Sequence, residues 1–235
     1  MAGRLNLGPI HAVAFDVDGT LYDKRAATGY YARAWLRHPR LMADFATVRE
    51  GLRREGFRGD LRAEESRRLG APLGSDPERV RVVLERVIYG EFSNYLARSV
   101  GPRRGLIALL ERLTNLDVGL GILSDYPSEA KLAALGLSRF KWRATLSAGC
   151  EGALKPAPEV FALLAERLGV APERILYVGD REDSDVEGAM AAGMAAARIV
   201  DGPRLRRVRS RAAIVFSDYR ELAERIAPHL GGDGV

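Results

Sequence analysis

Short apolar runs and stretches of helical periodicity alternate along most of this chain, and one long segment breaks the alternation. Residues 13–15 are apolar throughout, as expected of a strand covered on both faces. Residues 118–123 repeat that pattern, 144–146 give a weaker version, and 175–178 and 196–200 give two more. A last strand is predicted over 212–216, followed by a helix through 221–226. Between these runs lie helical patterns over 128–135, closed by Gly136, and over 159–168, where Val160, Phe161, Leu163, Leu164 and Leu168 stand at helix spacing between Pro158 and Gly169. A further helix over 186–192 ends at Gly193. Strand alternating with helix predicts an α/β fold built on a doubly wound parallel sheet.

The exception spans residues 24–100, which carry no strand pattern and read as consecutive helices. One covers 30–37 and stops before Pro39; Leu41, Phe45, Val48 and Leu52 mark a second. Ser75 with Glu78 has the form of a capping box, with Pro77 in the first turn ahead of Val80, Val83, Leu84, Val87 and Ile88. Leu106, Leu109, Leu110 and Leu113 then form a helix leading into the strand at 118. An insertion of this size is too long for a connection and large enough for a small domain. The expected organisation is a core of residues 1–23 and 101–235, with 24–100 inserted as a helical domain.

Composition narrows the class without naming a function. The 235 residues are 47% hydrophobic and 29% charged, values of an ordinary globular protein. No apolar stretch approaches the roughly 20 residues needed to span a bilayer, and the N-terminus lacks a signal-peptide pattern. The single cysteine, Cys150, reads as a small unpaired hydrophobe and fits a reducing cytoplasm. The expectation is a cytoplasmic protein without a membrane partner. A formal net charge of +5 raises the question of nucleic acid. Most arginines, however, alternate with glutamates at helical spacing, as on solvated helix faces. The one concentrated run, residues 204–211 with Arg204, Arg206, Arg207, Arg209 and Arg211, reads as a solvated loop, and no nucleic-acid-binding motif accompanies it. Nucleic acid is not the expected partner.

The chemistry collects at strand ends. The first strand runs into Asp16-Val17-Asp18-Gly19-Thr20, the second into Ser124-Asp125, and the 175–178 strand into Gly179-Asp180, with Glu182, Asp183 and Asp185 just beyond. Lys155 stands between Leu154 and Pro156, ahead of a helix. Taken singly, each has an ordinary role as a turn, a cap or a surface residue. Open α/β sheets bind ligands at the carboxyl ends of their strands, and all of these polar groups fall at that one edge. Ending a buried strand in two unpaired carboxylates is unfavourable unless a cation or a reaction uses them.

In these residues the chain resembles the haloacid dehalogenase superfamily over essentially its whole length. Residues 16–20 are similar to the first motif, Ser124 to the second, Lys155 to the third, and Gly179-Asp180 through Asp185 to the fourth. The resemblance implies a Rossmann-like core with a C1-type helical cap. It also implies a Mg²⁺ site formed by Asp16, the backbone carbonyl of Asp18 and Asp180. Asp185 is expected to support the metal's water shell or to ligate directly, with Asp183 competing for that place. Asp16 is suited to attack phosphorus, forming an acyl phosphate that splits one hard displacement into two. Asp18 would protonate the leaving alkoxide and then activate water, with a pKa raised by burial and a neighbouring like charge. Ser124 would hydrogen-bond a phosphoryl oxygen and Lys155 would neutralise Asp16 and phosphate. Gly19, Thr20 and Asp125 are expected at the substrate.

The second aspartate separates branches of the superfamily: its dehalogenases generally lack an acid there, whereas phosphatases and phosphomutases have one. The expected activity is Mg²⁺-dependent hydrolysis of a small phosphorylated metabolite. A phosphomutase or dehalogenase of the same superfamily, or a phospho-acceptor protein without turnover, are the alternatives. Phosphoglycolate, a sugar phosphate and a nucleotide monophosphate fit equally, as do a monomer and a homodimer. Tyr22, Lys24, Tyr30, Tyr31 and Trp35 either face the site or pack the core of the inserted domain, and packing is the commoner use of aromatics.

Overall fold

Six strands form one parallel sheet in a computed structural model that describes residues 7–202 and 208–230. They are β1 (Ala12–Phe15), β2 (Gly119–Ser124), β3 (Trp142–Ser147), β4 (Ile175–Gly179), β5 (Ala195–Ile199) and β6 (Ile214–Phe216), in the spatial order β3-β2-β1-β4-β5-β6. The alternation of apolar runs and helices therefore gave the right fold class. The third strand is longer than its short apolar run, and the last begins two residues later than expected.

β1 lies in the middle, with Phe15 opposite Ile122 of β2 and Val178 of β4. The chain order reverses between β1 and β4, a topological switch that leaves a crevice beyond the carboxyl ends of these strands. Both faces of the sheet are covered. Val13, Phe15, Leu120 and Ile122 pack against Leu106, Leu109 and Leu113 of α6 (Leu106–Asn115), with Leu222 and Ile226 of α10 (Tyr219–Ile226) in the same cluster. On the other face, Ala12, Ala14 and Tyr177 meet Phe161, Leu164 and Leu168 of α8 (Pro158–Leu168), together with Ala189 of α9 (Glu187–Ala191). Strand side chains alternate between faces, so consecutive residues of one short buried strand serve two cores. A short helix, α7 (Glu129–Ala134), follows β2.

Between β1 and α6 come five α-helices: α1 (Thr28–Arg37), α2 (Pro39–Arg54), α3 (Leu61–Gly70), α4 (Pro77–Leu84) and α5 (Glu91–Ser99). α4 is capped by Asp76, whose carboxylate accepts the Glu78 amide at 3.1 Å, and not by Ser75. Pro77 sets the first helical position, which makes residue 76 the N-cap and leaves Ser75 one place too early. These helices have small cores of their own, such as Phe45, Leu69, Val80 and Leu84, while Leu52 and Leu61 pack on Leu154 of the sheet-bearing part.

Residues 204–207 of the basic run lie outside the described residues. Beyond them, Ser210 and the Arg211 amide both donate to Glu182, tying the run's end to the loop after β4. No helix among the described residues is long and apolar enough to cross a membrane.

The α8 face offers a direct test of the packing. Phe161 is fully buried, with its ring edge-on to Tyr177 at 5.0 Å. Phe161→Ala should cost about 3–5 kcal/mol, read as a lower urea midpoint at unchanged slope.

Candidate active site

The carboxyl ends of β1, β2 and β4 deliver the polar groups into the crevice. Asp16 follows β1, its amide still donating to Val178 of β4 at 2.9 Å. The chain then turns tightly: the Thr20 and Leu21 amides both return to the Val17 carbonyl, and Gly19 has φ +96°. A Cβ at Gly19 would lie 2.5 Å from an oxygen of Asp180, so both the backbone conformation and the approach of Asp180 require glycine here. Arg103 holds the Gly19 carbonyl at 2.8 Å. Thr20, fully buried, donates to Oδ2 of Asp16 at 2.9 Å.

Lys155 organises the centre. Its Nζ is 2.8 Å from Oδ1 of Asp16 and 2.6 Å from Oδ1 of Asp185, and it donates to the Tyr177 hydroxyl at 3.1 Å. Burial opposes the Lys155 ammonium, but Asp16 and Asp185 override it and hold the pKa well above the usual lysine range. Asp185 is fixed at its other oxygen by the amides of Asp180 and Arg181, at 3.1 and 2.9 Å. Asp16 remains the strained member. Burial pushes its carboxyl up to about 6, Lys155 pulls against that, and the charges of Asp185 and Asp18 add to the rise.

Asp16, Asp180 and Asp185 each bring an oxygen within 4.8 Å of the others'. Burial also raises the Asp180 pKa, although Lys24 sits 2.9 Å from its Oδ2 and lowers it in part. Three clustered carboxylates offering hard oxygen donors suit a small divalent cation such as Mg²⁺. Asp185, with both oxygens already engaged, suits contact through a coordinated water. Asp183 stands apart: its carboxylate is paired with Arg181 at 2.6 Å and largely exposed.

Asp18 points away from this cluster. Its oxygens accept the Tyr22 hydroxyl and the Lys131 ammonium, both at 2.5 Å. The expectation of a raised pKa is corrected here. Burial does push it up, but Lys131, by charge and by hydrogen bond, outweighs burial and leaves the carboxyl below its usual value.

The inserted helices roof these groups, leaving a cavity of ≈ 570 Å³ over Asp16, Asp18, Ser124, Lys155 and Asp180. Ser124 is buried at its floor, its Oγ accepting the Tyr126 amide at 3.3 Å. Two of the three residues expected at the substrate do not line the cavity: Gly19 and Thr20 lie behind Asp16 and shape it from there. Asp125 does line it, but its carboxylate is engaged by the Lys155 amide at 3.0 Å and by Arg53 at 2.7 Å. Tyr30, Tyr31, Trp35 and Lys24 all face the cavity, so packing is not their whole role. Cys150 is unpaired, as expected, and is exposed outside this cavity's wall.

Four residues of the site were not singled out from the sequence. Lys131 on α7 reaches Asp18; Tyr177 supports Lys155; Arg49 and Arg53 of α2 come down from the insertion. Arg49 is buried against Glu65 at 2.7 Å and also donates to the Asp125 carbonyl. Only Tyr177 left a signal, as a hydroxyl inside an otherwise apolar buried strand.

Comparison with known proteins agrees with this architecture. A profile of haloacid dehalogenase-like hydrolases matches residues 10–193. A glyceraldehyde 3-phosphate phosphatase of Methanopyrus kandleri is 31% identical over 215 residues, covering 82% of this chain and 85% of the relative. A phosphoglycolate phosphatase of Shigella sonnei is 28% identical over 206 residues, covering 78% and 79%. The solved L-2-haloacid dehalogenase of Xanthobacter autotrophicus superposes with a TM-score of 0.66 at 22% identity, covering 93% of this chain and 98% of that one, which establishes the shared fold.

The strain at Asp16 has a measurable sign. Its folded pKa of about 6 lies above the ordinary 3.8, so its contribution to stability is full below 3.8 and lost as pH rises through about 6. Asp16→Asn, which mimics the protonated form, should make the metal-free protein more stable than wild type by about 1–3 kcal/mol near pH 7.5. That gain should vanish below pH 3.8. Urea unfolding with chelator at both pH values checks it; a variant less stable than wild type near pH 7.5 would contradict the sign.

Proposed function

We propose that this chain, which belongs to the haloacid dehalogenase-like hydrolase family and is a phosphatase, hydrolyses a small phosphate monoester in a Mg²⁺-dependent reaction through an aspartyl phosphate on Asp16. One observation carries the reading: a buried carboxylate at the end of β1 is aimed by Thr20 and Lys155 into a roofed cavity beside two further carboxylates. Asp16, Asp180 and, through water, Asp185 would hold the cation with the Asp18 backbone carbonyl. Bound there, Mg²⁺ would offset the charge that otherwise repels the nucleophile from the phosphoryl group.

This chain's own residues divide the remaining work. Asp16 forms the bond to phosphorus, and Thr20 fixes which oxygen it presents. Lys155 neutralises Asp16 and the phosphoryl oxygens, while Ser124 donates its hydroxyl proton to one of them. Asp18 serves the proton transfers on the leaving-group side. At rest it is an anion clasped by Lys131 and Tyr22, the state needed to deprotonate the water that opens the acyl phosphate. The first half-reaction needs the opposite state, so Asp18 must take up a proton as the Lys131 contact loosens. Residues 24–100 act as a cap that excludes water and reads the leaving group.

p-Nitrophenyl phosphate tests the reading. Turnover should require Mg²⁺, be abolished by Asp16→Asn, and fall roughly 10²–10⁴-fold in kcat for Asp18→Asn. Absence of turnover across generic phosphate esters with Mg²⁺ present would refute a hydrolase, and a stable phosphoprotein in its place would favour a phospho-acceptor.

A further inference from the structure

The wall of the cavity beyond the phosphoryl end has a composition that selects among leaving groups. Six aromatic residues line it: Tyr30, Tyr31, Trp35, Phe45, Phe92 and Tyr126. Met42 and Ile88 fill the gaps between them. Tyr30, Tyr31 and Phe92 form a cluster with ring centroids 5.1–5.9 Å apart. Tyr31 and Trp35, one helical turn apart on α1, stay 36% and 47% exposed. Large aromatics left open to a cavity, and not closed into a core, are characteristic of a surface that a ligand covers.

The charges on the same wall are all committed. Each lysine and arginine lining the cavity has a carboxylate partner: Lys24 with Asp180, Arg49 with Glu65, Arg53 with Asp125, Lys131 with Asp18, Lys155 with Asp16, and Arg181 with Asp183. A leaving group carrying its own carboxylate would have to take one of these cations and strand the acid it leaves behind, several of which are buried. That exchange is unfavourable in a desolvated site. A polyhydroxylated chain gains less there, because the distal wall is mostly ring and methyl surface and one of its three tyrosine hydroxyls, that of Tyr30, is already given to the Val87 carbonyl. A cavity of ≈ 570 Å³ also has room for a ring-sized group that a two-carbon acid would leave unfilled.

We infer that the preferred substrate is a phosphate monoester whose alcohol carries an uncharged, flat aromatic ring, seated among Tyr31, Trp35, Phe45 and Phe92. The inference rests on the phosphatase reading above and adds the substrate class to it. It also sets this chain apart from the relatives whose names specify glyceraldehyde 3-phosphate or phosphoglycolate.

Steady-state kinetics of the full-length Mg²⁺-loaded protein on three alkyl-type esters tests it: benzyl phosphate, glyceraldehyde 3-phosphate and phosphoglycolate. Alkyl esters keep the intrinsic reactivity of the leaving groups comparable, which an activated aryl ester would not. The expected result is a kcat/KM for benzyl phosphate about tenfold or more above the other two, arising mainly in KM. Trp35→Ala, at a half-exposed position where folding is not at stake, should lower the benzyl-to-phosphoglycolate ratio about fivefold or more. Equal or better turnover of phosphoglycolate or glyceraldehyde 3-phosphate overturns the inference and leaves the phosphatase reading standing. Turnover of none of the three overturns the inference, and the p-nitrophenyl phosphate assay then decides the phosphatase reading.

Discussion

One buried ammonium between two buried carboxylates is the interaction on which this site depends. Lys155 bridges Asp16 and Asp185 in a place where none of the three charges could stand alone. The fold supplies the rest of the shell: Tyr177 and the Leu123 carbonyl share the remaining Lys155 donor, and two backbone amides hold Asp185. Even so, Lys155 and Lys24 set only two cations against the three carboxylates of Asp16, Asp180 and Asp185. Burial, with that imbalance added to it, pushes the Asp16 carboxyl up to about 6. A group that resists ionisation in the bare protein and must be ionised to attack is poised to gain from a divalent cation, which in the proposed chemistry supplies the missing charge.

The parallel sheet makes this arrangement possible by bringing distant segments within hydrogen-bond reach at a single edge. Asp16 and Lys155 are 139 positions apart in the chain, and their contact exists because β1 lies between β2 and β4. Close approach is bought with small residues. A Cβ at Gly179 would fall 2.3 Å from that of Asp185, so the end of β4 must be glycine for the Asp185 carboxylate to fold back over it. Gly19 performs the same service between β1 and Asp180.

What could be read in advance follows from where each signal resides. Strand ends are local: an apolar run closed by Asp-x-Asp, Ser-Asp or Gly-Asp is visible in a handful of residues, and parallel topology then gathers them. The helical character of residues 24–100 was visible for the same reason. α3 was harder to delimit because it buries Glu65 and Ser66 alongside Leu61 and Leu69, so its inward face is partly polar. Ser66 donates locally to the Arg62 carbonyl, but the Glu65 charge meets Arg49 on α2, a pairing no local window contains. The sign of the Asp18 shift was missed for the same cause. Burial, inferable from residues 16–18, pushes it up; Lys131, 113 positions away, reverses the outcome.

Lys131 also joins two parts of the site that the sequence presents separately. Its ammonium touches Asp18 while lying 5.0 Å from the centre of the Tyr126 ring and 5.6 Å from that of Phe92. Those two rings belong to the wall of the leaving-group cavity. An apolar group settling against them displaces water from around the ammonium and strengthens its attraction to Asp18 and to an incoming phosphate alike. A lysine drawn from Asp18 toward phosphate leaves that carboxyl free to take up a proton, the form the departing alkoxide requires. In the proposed reaction the aromatic cavity and the acid would thus be linked through one side chain, which stands between them.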